Sequence, residues 1–240
     1  MTAVRDTQRS GAGPWEADAT LTDRLRSQAS RYHAAHPFHV RMNDGELSPA
    51  QIRGWVANRF AYQEAIPIKD AAILSNCPDV TVRRRWIRRI TDHDGAGDDP
   101  GGTEAWLRLG EACGVPREEM TSHVHLRPGV RFAVDAYITF ARTRPWPIAV
   151  ASSLTELFAP DLMATRLAAF EKYYTWIDPA GLQYFRNRLY QAPRDSEHAL
   201  EVVLEHCRTP ELEQAAYDAL AFKNDVLWSM MDAIDAAYPA

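Results

Sequence analysis

The sequence predicts an all-α protein, on three observations. A capping residue followed at once by proline recurs along it, at Ser48-Pro49, Asp178-Pro179 and Thr209-Pro210. Such a pair opens helices, because the capping side chain satisfies a free backbone N–H and proline at the first helical position sacrifices no hydrogen bond. No segment sustains the alternation of a strand, and no Asn-Gly pair marks a hairpin.

The elements follow in order. A first helix is expected from about Ala19 to Tyr32. Ser48-Pro49-Ala50-Gln51 is a capping box, in which the Ser48 hydroxyl accepts from the backbone of Gln51. The helix it opens should run through Trp55, Arg59 and Gln63 to about Leu74, kinked at Pro67. Asp79 caps a helix through Trp86 and Ile90 to about His93. The Gly- and Asp-rich stretch 94–102 predicts a loop. Thr103 opens a short helix that Gly114 ends. Further helices are expected at about 128–143, 147–157, 161–175, 180–207 and 210–238. Together they make one domain over residues 20–240, preceded by a flexible tail over 1–19 that is polar, contains glycine and lacks an apolar signal core.

A chain of 240 residues can bury one sizeable core. Its net charge of -5 argues against a general nucleic-acid binder. No apolar run reaches the roughly 18 residues of a membrane span. Cys77, Cys113 and Cys207 are too few and too scattered for a disulfide framework or a zinc site, and predict a reduced, cytoplasmic protein.

Several residues have the chemistry for a site. Arg59 and Gln63 lie four apart, on a face shared with the apolar Ile52 and Val56. An arginine on such a stripe requires an anion, supplied either by an internal carboxylate or by a ligand. Tyr184 and Arg188 repeat the spacing, as a surface pair or a buried one. Lys223 lies among Leu220, Phe222, Val226 and Leu227, and either snorkels to the surface or is buried. His93 closes a helix beside the glycine-rich loop, where the helix dipole favours histidine and where a titration near neutrality also suits proton transfer. His33, His36 and His39 are interrupted by Pro37, which argues against one metal-binding face. Asp195 and His198, three apart, are a weak metal signal. Arg83, Arg84, Arg85, Arg88 and Arg89 read as a solvated helix face. Nucleotide-binding loops and a serine-hydrolase elbow are absent from the sequence.

Eight motifs then occur in a fixed order: His36-Pro37-Phe38-His39, Gly54 to Arg59, Ile66 to Ala72, Asp92-His93-Asp94-Gly95, Gly102 to Leu107, Arg131 to Tyr137, Ala151 to Phe158 and Phe222 to Trp228. In this set the chain closely resembles the pyrroloquinoline-quinone synthase (PqqC) family, from about residue 24 to near the C-terminus. The resemblance implies a seven-helix, haem-oxygenase-like bundle of the TenA/PqqC type, working as a homodimer. It implies an oxidoreductase that uses O2 as co-substrate, with no metal or organic cofactor. The implied reaction is ring closure and eight-electron oxidation of AHQQ, a reduced bicyclic polycarboxylate, to pyrroloquinoline quinone (PQQ), with release of hydrogen peroxide.

By the same resemblance, Arg59, Lys69, Arg166, Arg188 and Lys223 meet the carboxylates and quinone oxygens, and Tyr32, His33, Gln63, Tyr137, Thr155 and Glu156 are further substrate-binding positions. His93 is placed over the substrate ring as a proton-transfer group. Tyr184 and Arg188 lie near the O2 site, with Lys223 close by. Met163 stands where some relatives carry histidine. The alternatives are a metal-dependent oxidase of the same superfamily and a non-catalytic carrier of PQQ or its precursor.

Overall fold

A computed structural model describes residues 19–239; apart from Ala19, the expected N-terminal tail lies outside the described residues. Among the described residues the regular elements are helical, with one antiparallel bridge between Ala96 and Asp99 in the predicted loop. The α-helices are α1 (Leu21–Ser27), α2 (Pro37–Asn43), α3 (Pro49–Asn76), α4 (Val80–Asp94), α5 (Gly101–Ala112), α6 (Arg117–Thr121), α7 (Pro128–Thr143), α8 (Trp146–Ala151), α9 (Ala159–Tyr173), α10 (Gln183–His206) and α11 (Pro210–Ala237). None is long and apolar enough to cross a membrane.

Local chemistry explains the starts. Ser48 Oγ accepts from Gln51 N at 3.3 Å while Gln51 Oε1 accepts from Ser48 N at 2.9 Å, closing the capping box of α3. Asp79 accepts from the backbone of Thr81 and Val82 at the head of α4, and Thr209 from Leu212 N at the head of α11. Asp178-Pro179 starts a 3₁₀ turn over Pro179–Leu182, which passes directly into α10.

The structure redraws three segments. The expected first helix stops at Ser27, and 3₁₀ turns carry the chain over Gln28–Arg31 and His33–Ala35. Pro37 does break the histidine run, yet it also opens α2: it holds His36 extended, and His36 Nδ1 accepts from Phe38 N at 3.1 Å as a cap. The stretch expected as one helix over 147–157 divides into α8 and a 3₁₀ turn over Leu154–Phe158. α6 was not expected. α3 runs through Pro67, which offers no N–H to the Gln63 carbonyl one turn earlier.

Two apolar cores form, and the site lies between them. The first gathers Trp55, Trp106, Phe170 and Phe185, with ring centroids 5.3–6.5 Å apart. The second gathers Trp86, Val150, Val202 and Leu220. Along α3 the first core ends at Ile66 and the second begins at Ile73, with Lys69 and Asp70 between. Along α10 the same gap, from Phe185 to Ala199, holds Arg188 and Asp195; along α11, from Leu220 to Val226, it holds Lys223. Three helices therefore contribute charge at one level of the bundle.

Candidate active site

The charged seam contains a paired half and an unpaired half. In the paired half, Glu156 bridges two arginines: Arg89 Nη1 donates to Oε2 at 2.6 Å and Arg188 Nη2 to Oε1 at 3.0 Å. Burial opposes the charge on Glu156, but Arg89 and then Arg188 outweigh it and hold the carboxyl down at about 2. Asp195 sits behind both arginines, 3.8 Å from Arg89 and 3.6 Å from Arg188, and also meets Arg194 at 2.6 Å. Asp70, completely buried, accepts from Lys69 at 2.6 Å and from Trp86 Nε1 at 2.9 Å. Lys69 also donates to Ser153 Oγ at 3.0 Å.

In the unpaired half, Arg59, Arg166 and Lys223 are buried and make no ion pair among the described residues. Arg59 lies over the Tyr62 ring at 4.6 Å and its Nη1 has no partner. Arg166 lies over Trp55 at 5.0 Å, with Nε and Nη2 unpartnered; burial, then Arg59, lowers it to about 9. Lys223 donates to Tyr62 Oη at 2.7 Å, and burial, then Lys69 and Arg59, hold it well below the ordinary lysine range. Six buried cationic side chains thus face three carboxylates, Asp70, Glu156 and Asp195. A buried cation without a partner is costly unless an anion arrives, so this geometry is suited to a ligand with several negative groups.

The histidines are neutral donors and acceptors within this positive field. His93 Nδ1 lies 2.9 Å from the Arg89 carbonyl, which only accepts, so Nδ1 carries the proton and the unpartnered Nε2 presents a lone pair. Burial, with Arg188 second, lowers His93 to about 4. The loop behind it folds tightly: Gly95 has φ +89° and Gly101 φ +79°, and a Cβ on Gly101 would lie 2.6 Å from the His93 carbonyl oxygen. His39 uses Nδ1 in the same way toward the His33 carbonyl, at 2.8 Å. Burial lowers both His33 and His39 well below the ordinary value.

Two adjoining cavities open into the seam. One is lined by Tyr32, His33, Arg59, Tyr62, Thr155, Glu156, Met163, Tyr184 and Arg188, among others. The second shares Tyr62, Ile66, Thr155 and Glu156 with it and adds Lys69, Arg89, Tyr137 and Ser153. Larger depressions occur elsewhere, but they are open surface grooves without buried unpaired charge.

Most residues expected from the sequence meet here. Gln63 Oε1 accepts from Tyr184 Oη at 2.8 Å, joining α3 to α10. Tyr184 and His93 both flank Gly102, where an added Cβ would lie 3.5 and 3.6 Å from them. Gln63, His93, Arg166 and Lys223 line neither cavity; Gln63 reaches the site through Tyr184, His93 beside Arg188, Arg166 beside Arg59, and Lys223 through Tyr62.

One expectation fails: Arg89 does not belong to a solvated face. It is 3% exposed, because α4 turns it inward with Trp86 and His93, while Arg84, Arg85 and Arg88 remain outside. Asp195 and His198 also part company, Asp195 toward three arginines and His198 against the Trp86 ring at 5.8 Å. Sequence reasoning missed Tyr62, Asp70 and Arg89 as site residues. Tyr62, three residues after Arg59, and Arg89, three after Trp86, both had the spacing that could have revealed them.

Fold and site together define an all-helical protein that encloses a cationic pocket between two apolar cores. The fold is shared with a TenA homologue from Pseudomonas syringae pv. tomato, at TM-score 0.74 and 15% identity over 90% of this chain and 91% of that one. It is shared also with a domain of haem-oxygenase-like fold from Shewanella denitrificans, at TM-score 0.76 and 14% identity over 91% of each chain. The chain belongs to the TENA/THI-4/PQQC family, whose model matches residues 22–233. It is 58% identical over 214 residues to a pyrroloquinoline-quinone synthase from Pseudomonas aeruginosa, covering 89% of this chain and 86% of that protein. To a pyrroloquinoline-quinone synthase from Cronobacter sakazakii it is 55% identical over 214 residues, covering 89% and 85%.

Proposed function

We propose that this chain is a pyrroloquinoline-quinone synthase that closes the third ring of AHQQ and oxidises it to PQQ with O2, releasing hydrogen peroxide. The carrying observation is the set of three buried cations without a carboxylate, Arg59, Arg166 and Lys223. A polycarboxylate supplies the partners they lack. Arginine suits that task because its planar fork matches a carboxylate.

Each group then has a role. Arg59 and Arg166 hold carboxylates, Lys69 and Arg188 face quinone oxygens, and Tyr32, His33, Gln63, Tyr137, Thr155 and Glu156 shape the pocket. His93 Nε2 removes a proton from the reduced substrate. The electron-rich anion that results reduces O2 directly, without a metal or organic cofactor. Tyr184 and Arg188 stabilise the charge that develops on reduced oxygen, and Lys223 supports them from behind Tyr62. The enzyme acts as a homodimer in the cytoplasm; three buried, unpaired cysteines accord with a reducing compartment.

Metal-stripped protein mixed with AHQQ in air, followed by PQQ absorbance and peroxide release together, tests this reading. PQQ with peroxide in the presence of a chelator is the expected result. Binding without conversion would make the chain a carrier. Conversion that requires added iron or manganese would make it a metal-dependent oxidase.

A further inference from the structure

Lys223 is fully buried and lines neither cavity. Among the described residues its one side-chain hydrogen bond runs to Tyr62 Oη, at 2.7 Å. Otherwise it meets ring faces, 3.2 Å from the Tyr137 centroid and 4.2 Å from that of Tyr62. Tyr62, by contrast, lines both cavities. Its ring carries the Arg59 guanidinium and runs parallel to Tyr137 within 11° at 6.2 Å. The other charged groups that act on Lys223 are Lys69, Arg59 and Asp70 from α3 and Glu156 from the turn after α8. No carboxylate forms an ion pair with it among the described residues. Any exchange between Lys223 and a bound substrate therefore passes through the Tyr62 hydroxyl.

We propose that Tyr62 is the proton link between Lys223 and the substrate cavity, an inference that rests on the synthase reading above. An N–H bond of the Lys223 ammonium breaks as an O–H bond forms on Tyr62. The original Tyr62 proton passes at the same time to a reduced-oxygen or quinol oxygen in the cavity. One proton crosses, no electron moves, and Lys223 is left as the neutral amine. Run in reverse, the same link takes a substrate proton back to Lys223. Burial keeps the Tyr62 phenol well above its ordinary value, so it relays a proton without resting as phenolate.

Tyr62→Phe tests the link, since it keeps the ring under Arg59 and removes only the hydroxyl. The chain has three lysines, Lys69, Lys172 and Lys223, so carbon-13 at Cε resolves the Lys223 titration by NMR. The expected result is a kcat lowered about 100-fold, in the range of a lost proton-transfer group, with PQQ affinity within about twofold of wild type, the signature of a transition-state effect. The Lys223 titration should move to lower pH, because its charged form loses its hydrogen bond. Adding Lys223→Met to Tyr62→Phe should cost no further rate. Wild-type kcat, an unmoved Lys223 titration, or additive losses in the double variant would each overturn the proposal. Wild-type protein that never oxidises AHQQ would instead sink the synthase reading, and the titration, which needs no turnover, judges the Tyr62–Lys223 contact separately.

Discussion

Replacing Arg166 by methionine is expected to stabilise the ligand-free protein and to disable it. Arg166 is 1% exposed, has no carboxylate partner and leaves Nε and Nη2 without hydrogen bonds. Burial lowers it to about 9 from an ordinary 12.5, which corresponds to an unfavourable environment on the order of 5 kcal/mol. Its stacking on Trp55 at 5.0 Å returns about 0.5–2 kcal/mol. Methionine refills the stem's space with flexible apolar atoms. The free protein should therefore gain roughly 3–4.5 kcal/mol, or about 6–18 °C in Tm for a domain of this size. Affinity for PQQ should fall by about 2–5 kcal/mol, some 30-fold to several thousand-fold, if a desolvated carboxylate loses its partner. Differential scanning calorimetry and a PQQ titration measure the two halves. A lower Tm with unchanged PQQ affinity would make Arg166 a structural residue and refute the reasoning.

Glu156→Gln should cost about 3–5 kcal/mol in urea unfolding, because it leaves Arg89 and Arg188 facing each other across a neutral amide. Acid should destabilise the protein through His93: its folded value, about 4, lies below the ordinary 6.5, so the stability it contributes is present above pH 6.5 and lost as pH falls toward 4. That group accounts for about 3 kcal/mol, beside the contributions of His33 and His39, and His93→Gln should make the fall of the urea midpoint between pH 6.5 and 4 shallower. PQQ binding should take up protons near pH 9, since Arg166 is lowered to about 9 in the free site and Lys223 is lowered with it, and both recover when carboxylates arrive. Calorimetry in buffers of different ionisation enthalpy reads that uptake, and proton release instead would contradict the excess of buried cations.

Helix starts were legible because they are local. Ser48, Asp79 and Thr209 cap through backbone groups two or three residues away, so the sequence contains both partners. Partners distant in sequence were less accessible. Nothing near Arg59 says whether its anion is internal, and only the packing of α3 against the rest of the seam shows that no carboxylate among the described residues reaches it. Arg89 was hidden by its neighbours: in a run of arginines, composition suggests a wet face, and the inward stripe Trp86, Arg89, His93 emerges only when helical period outweighs charge. Tyr62 was obscured for the opposite reason, as an aromatic on a buried face that reads as ordinary core. Pro37 looked like a breaker because the same ring that ends one segment pre-forms the first turn of another. The ordered motifs gave the family; the excess of buried cations that gives the site its chemistry needed three dimensions.

The most direct test of the central claim is a crystal structure of the protein with PQQ bound. The account predicts PQQ between the two apolar cores, with carboxylate oxygens within hydrogen-bond distance of the Arg59 and Arg166 guanidinium groups and His93 Nε2 facing the ring system. PQQ seated in one of the outer grooves, with Arg59 and Arg166 still unpaired, would contradict it.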